Sequence, residues 1–180
     1  ESGSVSKETG WISQHILLFQ KDNSLIGILP NYLKNHSWGE YIFDQVFANA
    51  WENAGGKYYP KLLSAIPFSP VAGERFLIKD GYNRNIVIER LLAALEELKK
   101  FYKASSAHIN FINEPQLNIA LKNKFWLERN NIQFHWSNQN YENFEHFLSK
   151  LSSSKRKTIK RERNEIHKSS ILIEVVKNDD

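Results

Sequence analysis

Four groups of residues have side chains and spacings that could do chemistry. The first is the stretch Tyr58–Arg75, YYPKLLSAIPFSPVAGER. Tyr58 and Tyr59, followed by Leu62, Leu63, Ala65, Ile66 and Phe68, read as a strand buried on both faces. Pro67 and Pro70 remove backbone donors and end its pairing. Val71-Ala72-Gly73-Glu74-Arg75 then sets a glycine and an arginine at a strand's carboxyl end, where open α/β sheets tend to bind ligands. Such a loop suits an anion. A plain Pro/Gly turn explains the same residues without a ligand.

The second group is the loop His36-Ser37-Trp38-Gly39-Glu40-Tyr41 with Asp44 behind it. His36 or Glu40 could serve as a general base or orient an amine; loop-to-helix hydrogen bonds with Asp44 as a cap are the bland alternative. The third is Gln133 and His135, on the polar face of a strand in which Ile132, Phe134 and Trp136 form the apolar face. His135 is a further candidate base, and Gln133 a candidate contact to substrate. The fourth is a basic helix carrying Lys155, Arg156, Lys157, Lys160, Arg161 and Arg163. Arg156, Lys160, Arg163 and His167 share one face and Lys157, Arg161 and Lys168 lie beside it, an arrangement that attracts phosphate-rich partners. A solvated surface helix is the competing reading. No group of His, Asp and Glu has metal-ligand spacing, and no Ser-His-Asp order is carried by a motif.

The positioning elements alternate. His15–Gln20 and Leu25–Tyr32 flank a polar turn and predict a hairpin; residues 1–13 read as loop. Asp44 can cap a helix with Phe47, Ala50, Trp51 and Ala54 on its buried face, stopped by Gly55-Gly56. A long helix is predicted from an Asn85 cap to Lys103, with Ile88, Leu91, Leu92, Leu95 and Leu98 inward. Ala107–Ile112 reads as the next strand, and a helix from Asn113 carries Leu117, Leu121 and Phe125. A helix over 141–151, the basic helix to Lys168 and a strand over Ile171–Val176 complete the chain. This alternation predicts an α/β fold with a mixed sheet.

With 180 residues and 41% apolar composition, the chain can bury a sizeable core. The absence of cysteine excludes disulfides and a cysteine nucleophile. No apolar run reaches membrane-spanning length and no export signal pattern opens the chain, so a cytoplasmic location is expected. The missing initiator Met and the charged ending NDD lead us to expect a piece of a longer protein.

Five stretches in order, SGSVSKETGW at 2–11, LPNYLKNHSWGEYIFD at 29–44, YYPKLLSAIPFSP at 58–70, QFHWSN at 133–138 and KRKTIKRER at 155–163, resemble the bacterial Fem-like family of peptidoglycan biosynthesis or recognition, within the GNAT acyltransferase superfamily. The resemblance implies a GNAT-like mixed sheet flanked by helices over 1–140, with 141–180 beginning a second such domain. It also implies an N-acyltransferase that moves an acyl or aminoacyl group onto an amine of a cell-envelope precursor. The donor would be an acyl-CoA or an aminoacyl-tRNA, with no tightly bound cofactor. Tyr58, Tyr59, Lys61, Gly73, Arg75 and Gln133 would surround the substrates, and Glu40, His36 or His135 would be the base. The basic helix would meet a phosphate-bearing donor or precursor, tRNA among them. Gly73 stands alone, and Phe76–Tyr82 separates it from the next helix, which departs from the tight loop of acetyl-CoA enzymes and favours the Fem branch. The alternative is a non-catalytic module of the same fold, whose basic helix binds nucleic acid or anionic lipid.

Overall fold

A computed structural model describes residues 3–174, and the chain divides into two compact units, 1–129 and 130–180. The first unit holds strands β1 (Trp11–Ser13), β2 (Ile16–Phe19), β3 (Leu25–Leu29), β4 (Tyr32–Lys34), β5 (Lys61–Ser64), β6 (Leu77–Ile78) and β7 (Ala107–Ile109). Its helices are α1 (Gln45–Asn53), α2 (Arg84–Tyr102) and α3 (Glu114–Ala120). Strands β1, β4, β5 and β7 pair in that order, the last pair parallel and the others antiparallel. The hairpin β2–β3 continues to β6 as a second, antiparallel sheet. The fold is therefore the expected α/β type, a mixed sheet flanked by helices and consistent with a GNAT-like arrangement.

The core forms where α2 meets both sheets. Val87, Ile88, Leu91, Leu92 and Leu95 recur at helical spacing and bury against Ile26 and Leu29 of β3, Leu62 of β5 and Phe76. Each such side chain contributes about 1.5–3 kcal/mol by leaving water. The helix is capped by Asn83, whose side chain accepts from the N–H groups of Asn85 and Ile86, so the cap lies two residues before the predicted one. It ends at Lys103 in the left-handed conformation, with Lys99 and Lys100 in the last turn.

Several expectations are corrected. Trp11 is buried in a strand that the polar flanking residues concealed. The central strand is β5 alone, and Ile66 beyond it is 44% exposed, because pairing to β7 stops at Ser64. Helix α1 buries only Ala48. Phe47 and Trp51 stay 55% exposed, their rings covered locally by the Arg129 guanidinium, 4.5 Å from the Phe47 centroid, and by Gly56 against the Trp51 indole. Helix α3 ends before Phe125, which is exposed.

The second unit contains α4 (Phe144–Ser149) and α5 (Ser153–Lys168). Asn143 caps the first helix and Ser152 the second. Residues 132–136 form exposed chain and no strand, and 171–174 are likewise unpaired; the remainder of the strand predicted to Val176 lies outside the described residues. The alternation at 132–136 reflected side-chain type, and no strand among the described residues pairs with it.

Candidate functional site

The mixed sheet has two unlike faces. One carries Leu33, Leu62, Ala107 and Ile109 towards α2. On the other, Trp11 pairs with Lys34 and Lys34 with Lys61, forming a row across β1, β4 and β5. The next row of that face holds Tyr32, Leu63 and His108. Two lysines directly opposite each other repel, and both are fully buried. The loop 35–44 folds over them and brings Glu40 and Asp44, which are 2% exposed and balance the two positive charges.

Lys61 uses all three donors. Its Nζ lies 2.5 Å from Asp44 Oδ2, 2.8 Å from Glu40 Oε2 and 2.7 Å from Ser37 Oγ. Tyr58 OH donates to Asp44 Oδ2 at 2.8 Å, and Ser37 Oγ donates to the same oxygen at 3.0 Å. Ser37 has only one hydroxyl proton, so the Tyr59 hydroxyl 2.8 Å away must donate to it. Asp44 caps α1 by position, yet its side chain makes no cap hydrogen bond, because the carboxylate is drawn inward to Lys61. Lys34 Nζ sits 3.7 Å from the Trp11 ring centroid and donates to Trp38 O at 3.2 Å.

The two carboxylates are driven apart. Burial raises the Glu40 pKa, and the Lys61 ammonium only partly opposes it. Burial also acts upward on Asp44, but the Lys61 hydrogen bond and charge, with Ser37 and Tyr58, outweigh it and leave that group below its usual range. Glu40 Oε1 is buried without a hydrogen-bond partner. Desolvation lowers the Lys34 pKa to about 8, against the attraction of Glu40. Burial and the Asp44 carboxylate push the Tyr58 phenol up. A pair of acids so separated has one member fixed as an anion and another able to exchange a proton.

The expected residues therefore separate. Glu40, Lys61, Tyr58 and Tyr59 converge. His36 neighbours them but is occupied: its Nδ1 accepts from Trp38 N–H at 3.1 Å, and its ring lies on Gly10, where a Cβ would stand 2.1 Å from Nε2. Arg75 is buried as a clamp for its own loop. Its guanidinium donates to Asn110 O at 2.8 Å and to the carbonyls of Glu74 and Val71, while its N–H donates to Gln116 Oε1 at 2.8 Å. Gly73 is tied to Phe111 O and Asn113 N–H. The 67–75 loop still reaches the polar loop, since Phe68 N–H donates to Gly39 O at 3.1 Å. Gln133 and His135 belong to the second unit, where their side chains bond to each other at 3.1 Å. Sequence reasoning missed Lys34 and Trp11: Lys34 stands opposite Lys61 and Trp11 opposite Lys34, a row that only the strand pairing reveals. It also missed His108, which with Asn110 reads as a polar residue alternating in a mostly apolar strand.

On α5 the predicted basic face is divided. Lys160 pairs with Glu145 at 3.0 Å, and the Arg163 guanidinium lies 4.4 Å from the Phe144 centroid, so this side of the helix meets α4. Arg156 is half-buried. Lys155, Lys157, Arg161 and Lys168 are exposed, and Arg161 pairs with Glu165 at 3.8 Å.

Among the described residues no helix is long and apolar enough to cross a membrane. No curated protein and no solved structure matches the chain. A family match covers residues 1–180, under the description peptidoglycan biosynthesis/recognition. The stretches quoted from 2–11 to 155–163 all fall inside it, including the loop that supplies Glu40 and the strand that supplies Lys61. The chain belongs to the FemAB-like family.

Proposed function

We propose that this chain is an N-acyltransferase that moves an acyl or aminoacyl group from an acyl-CoA or aminoacyl-tRNA to an amine of a cell-envelope precursor. One observation carries the reading: the buried Glu40 carboxyl, raised in pKa, with one oxygen held by Lys61 and the other unpartnered. Glu40 Oε1 takes a proton from the ammonium form of the acceptor, leaving an amine that can attack the acyl carbonyl. Asp44 stays ionised and keeps Lys61 in place, and Lys61 fixes the carboxylate it touches. Access requires the Trp38–Tyr41 segment to lift from the cluster. We assign the reaction to the cytoplasm, where both donor classes are made.

The test pairs binding with turnover. Thermal shift across acyl-CoAs, aminoacyl-tRNA and muropeptide precursors identifies the ligands, since a ligand at a hundred times its Kd adds about 2.7 kcal/mol. Transfer to the precursor amine is then followed by mass. E40Q is expected to fold, bind and lose at least about a hundred-fold in rate. An unchanged rate in E40Q overturns the assignment.

A second reading is supported by the exposed cations Lys157, Arg161 and Lys168. In it the chain is a non-catalytic module that holds nucleic acid through α5. The isoleucines Ile159 and Ile166 lie roughly opposite those cations on the helix, whereas a helix lying on anionic lipid places its apolar side in the membrane with cations at its flanks. Nucleic acid is therefore favoured over lipid. Binding without transfer for any donor distinguishes this reading from the first.

A further inference from the structure

Beside Lys61, on the same face of the sheet, β7 and the residue before it bring a hydroxyl and an imidazole together. Ser106 Oγ lies 2.8 Å from His108 Nε2, and both residues are half-buried. His108 is level with Leu63 in the parallel pairing of β5 and β7, and its ring centroid is 6.5 Å from that of Tyr58, which binds Asp44. The neighbouring Ser105 is exposed and spends its one proton on Tyr58 O. Nothing in the reading above uses Ser106 or His108.

We propose that Ser106 and His108 are a nucleophile–base pair that carries the acyl group as a serine ester between donor and acceptor. This rests on the acyl-transfer reading and deepens it. In the first half, Ser106 Oγ attacks the acyl carbonyl of an ester or thioester donor while its proton passes to His108 Nε2. The new C–O bond forms, the bond to the leaving alkoxide or thiolate breaks, and His108 returns the proton to that group. In the second half, the acceptor amine, already deprotonated by Glu40, attacks the serine ester. Its surplus proton passes through His108 to Ser106 Oγ as the C–O bond breaks. The products are an amide and free serine.

The environment supports this assignment. Burial, then the Lys61 charge, lowers the His108 pKa to about 4, with Asp44 opposing and Arg129 adding slightly to the decrease. The imidazole is neutral at physiological pH, and in the tautomer that carries its proton on Nδ1, Nε2 accepts from the Ser106 hydroxyl 2.8 Å away.

The test uses the full chain and p-nitrophenyl acetate. Wild type is expected to release one equivalent of nitrophenol in a burst and to carry one acetyl group on Ser106 by peptide mass. S105A keeps the burst, S106A loses it, and H108Q slows acylation by at least about a hundred-fold. The acylation rate rises through pH about 4 and is level above it, a limb that H108Q lacks. A burst that survives in S106A, or an acetyl group found only on lysine, overturns the pair. Transfer to an amine that is unaffected by S106A but abolished by E40Q also overturns it, while the parent reading stands. Acetyl on Ser106 without transfer to any amine upholds the pair and removes the parent reading.

Discussion

Lys61 Nζ stands 2.5 Å from Asp44 Oδ2, with neither side chain more than 2% exposed. The contact orders two distant parts of the chain, because it fixes the start of α1 and the end of the polar loop onto the central strand. Burying these charges is costly, and the hydrogen bonds from Ser37, Tyr58 and Lys61 offset that cost only while all are present. K61M removes the shared donor and leaves two carboxylates buried. A loss of about 3–5 kcal/mol is expected in urea unfolding. A loss under about 1 kcal/mol would mean that the loop does not close over the sheet.

Lys34 gives the stability a pH dependence of definite sign. Its folded pKa of about 8 lies below the ordinary lysine value of 10.5. Between those values the unfolded chain holds a proton that the folded protein has lost, so stability rises with pH. Below about 8 both states are protonated and the penalty for burying the ammonium is fully present. The wild type should gain about 3 kcal/mol relative to K34M between pH 8 and 10.5. Because K34M cannot titrate there, the difference isolates Lys34 from the Tyr58 phenol, whose raised pKa acts in the opposite direction above pH 10. A pH-independent difference between the two proteins refutes the assignment.

Arg75 and Gln116 hold the 67–75 loop by backbone contacts. Gln116 Oε1 accepts from the N–H groups of Arg75 and Phe76, and its Nε2 donates to Phe76 O at 2.7 Å. Q116L strands two buried donors and one acceptor, and a loss of about 2–4 kcal/mol is expected. R75Q should likewise lower the midpoint of unfolding. Were R75Q to keep full stability and lose only donor affinity, the anion-binding role first expected for Arg75 would return.

What the sequence made legible follows from the kind of signal each part carries. Helix α2 was readable because its leucines repeat at helical spacing and face one core. The hairpin 16–29 was readable from its polar turn. Glu40 and Lys61 were readable as reactive types, but not as partners, since they lie twenty-one residues apart and meet only when the loop folds over the sheet. Trp11 and Lys34 were invisible because strands of three residues carry too little periodicity to register. The carbonyl contacts of Arg75 were not legible, because a guanidinium satisfied by carbonyls looks, in sequence, the same as one that awaits an anion. The 132–136 alternation finds no pairing strand among the described residues, and no local pattern reports whether one exists.

The division of α5 makes the last prediction. Lys157, Arg161 and Lys168 share the side turned away from α4, about 6 and then about 10 Å apart along the axis, while Lys160 and Arg163 are engaged with Glu145 and Phe144. A single-stranded RNA oligomer meeting three cations should show a log-log salt slope near −2, so a fourfold rise in salt weakens binding roughly twenty-fold. K157Q/R161Q/K168Q should flatten that slope and leave the unfolding midpoint unchanged, as exposed substitutions cost within about 0.5 kcal/mol. R156Q/K160Q/R163Q should instead leave most of the slope and loosen the helix from α4, at modest cost because the Lys160–Glu145 pair is exposed. The measurement is fluorescence anisotropy at four salt concentrations for each protein. If the second triple mutant abolishes the slope and the first does not, the residues against α4 are the ones that meet phosphate, and the helix must leave Glu145 and Phe144 to bind.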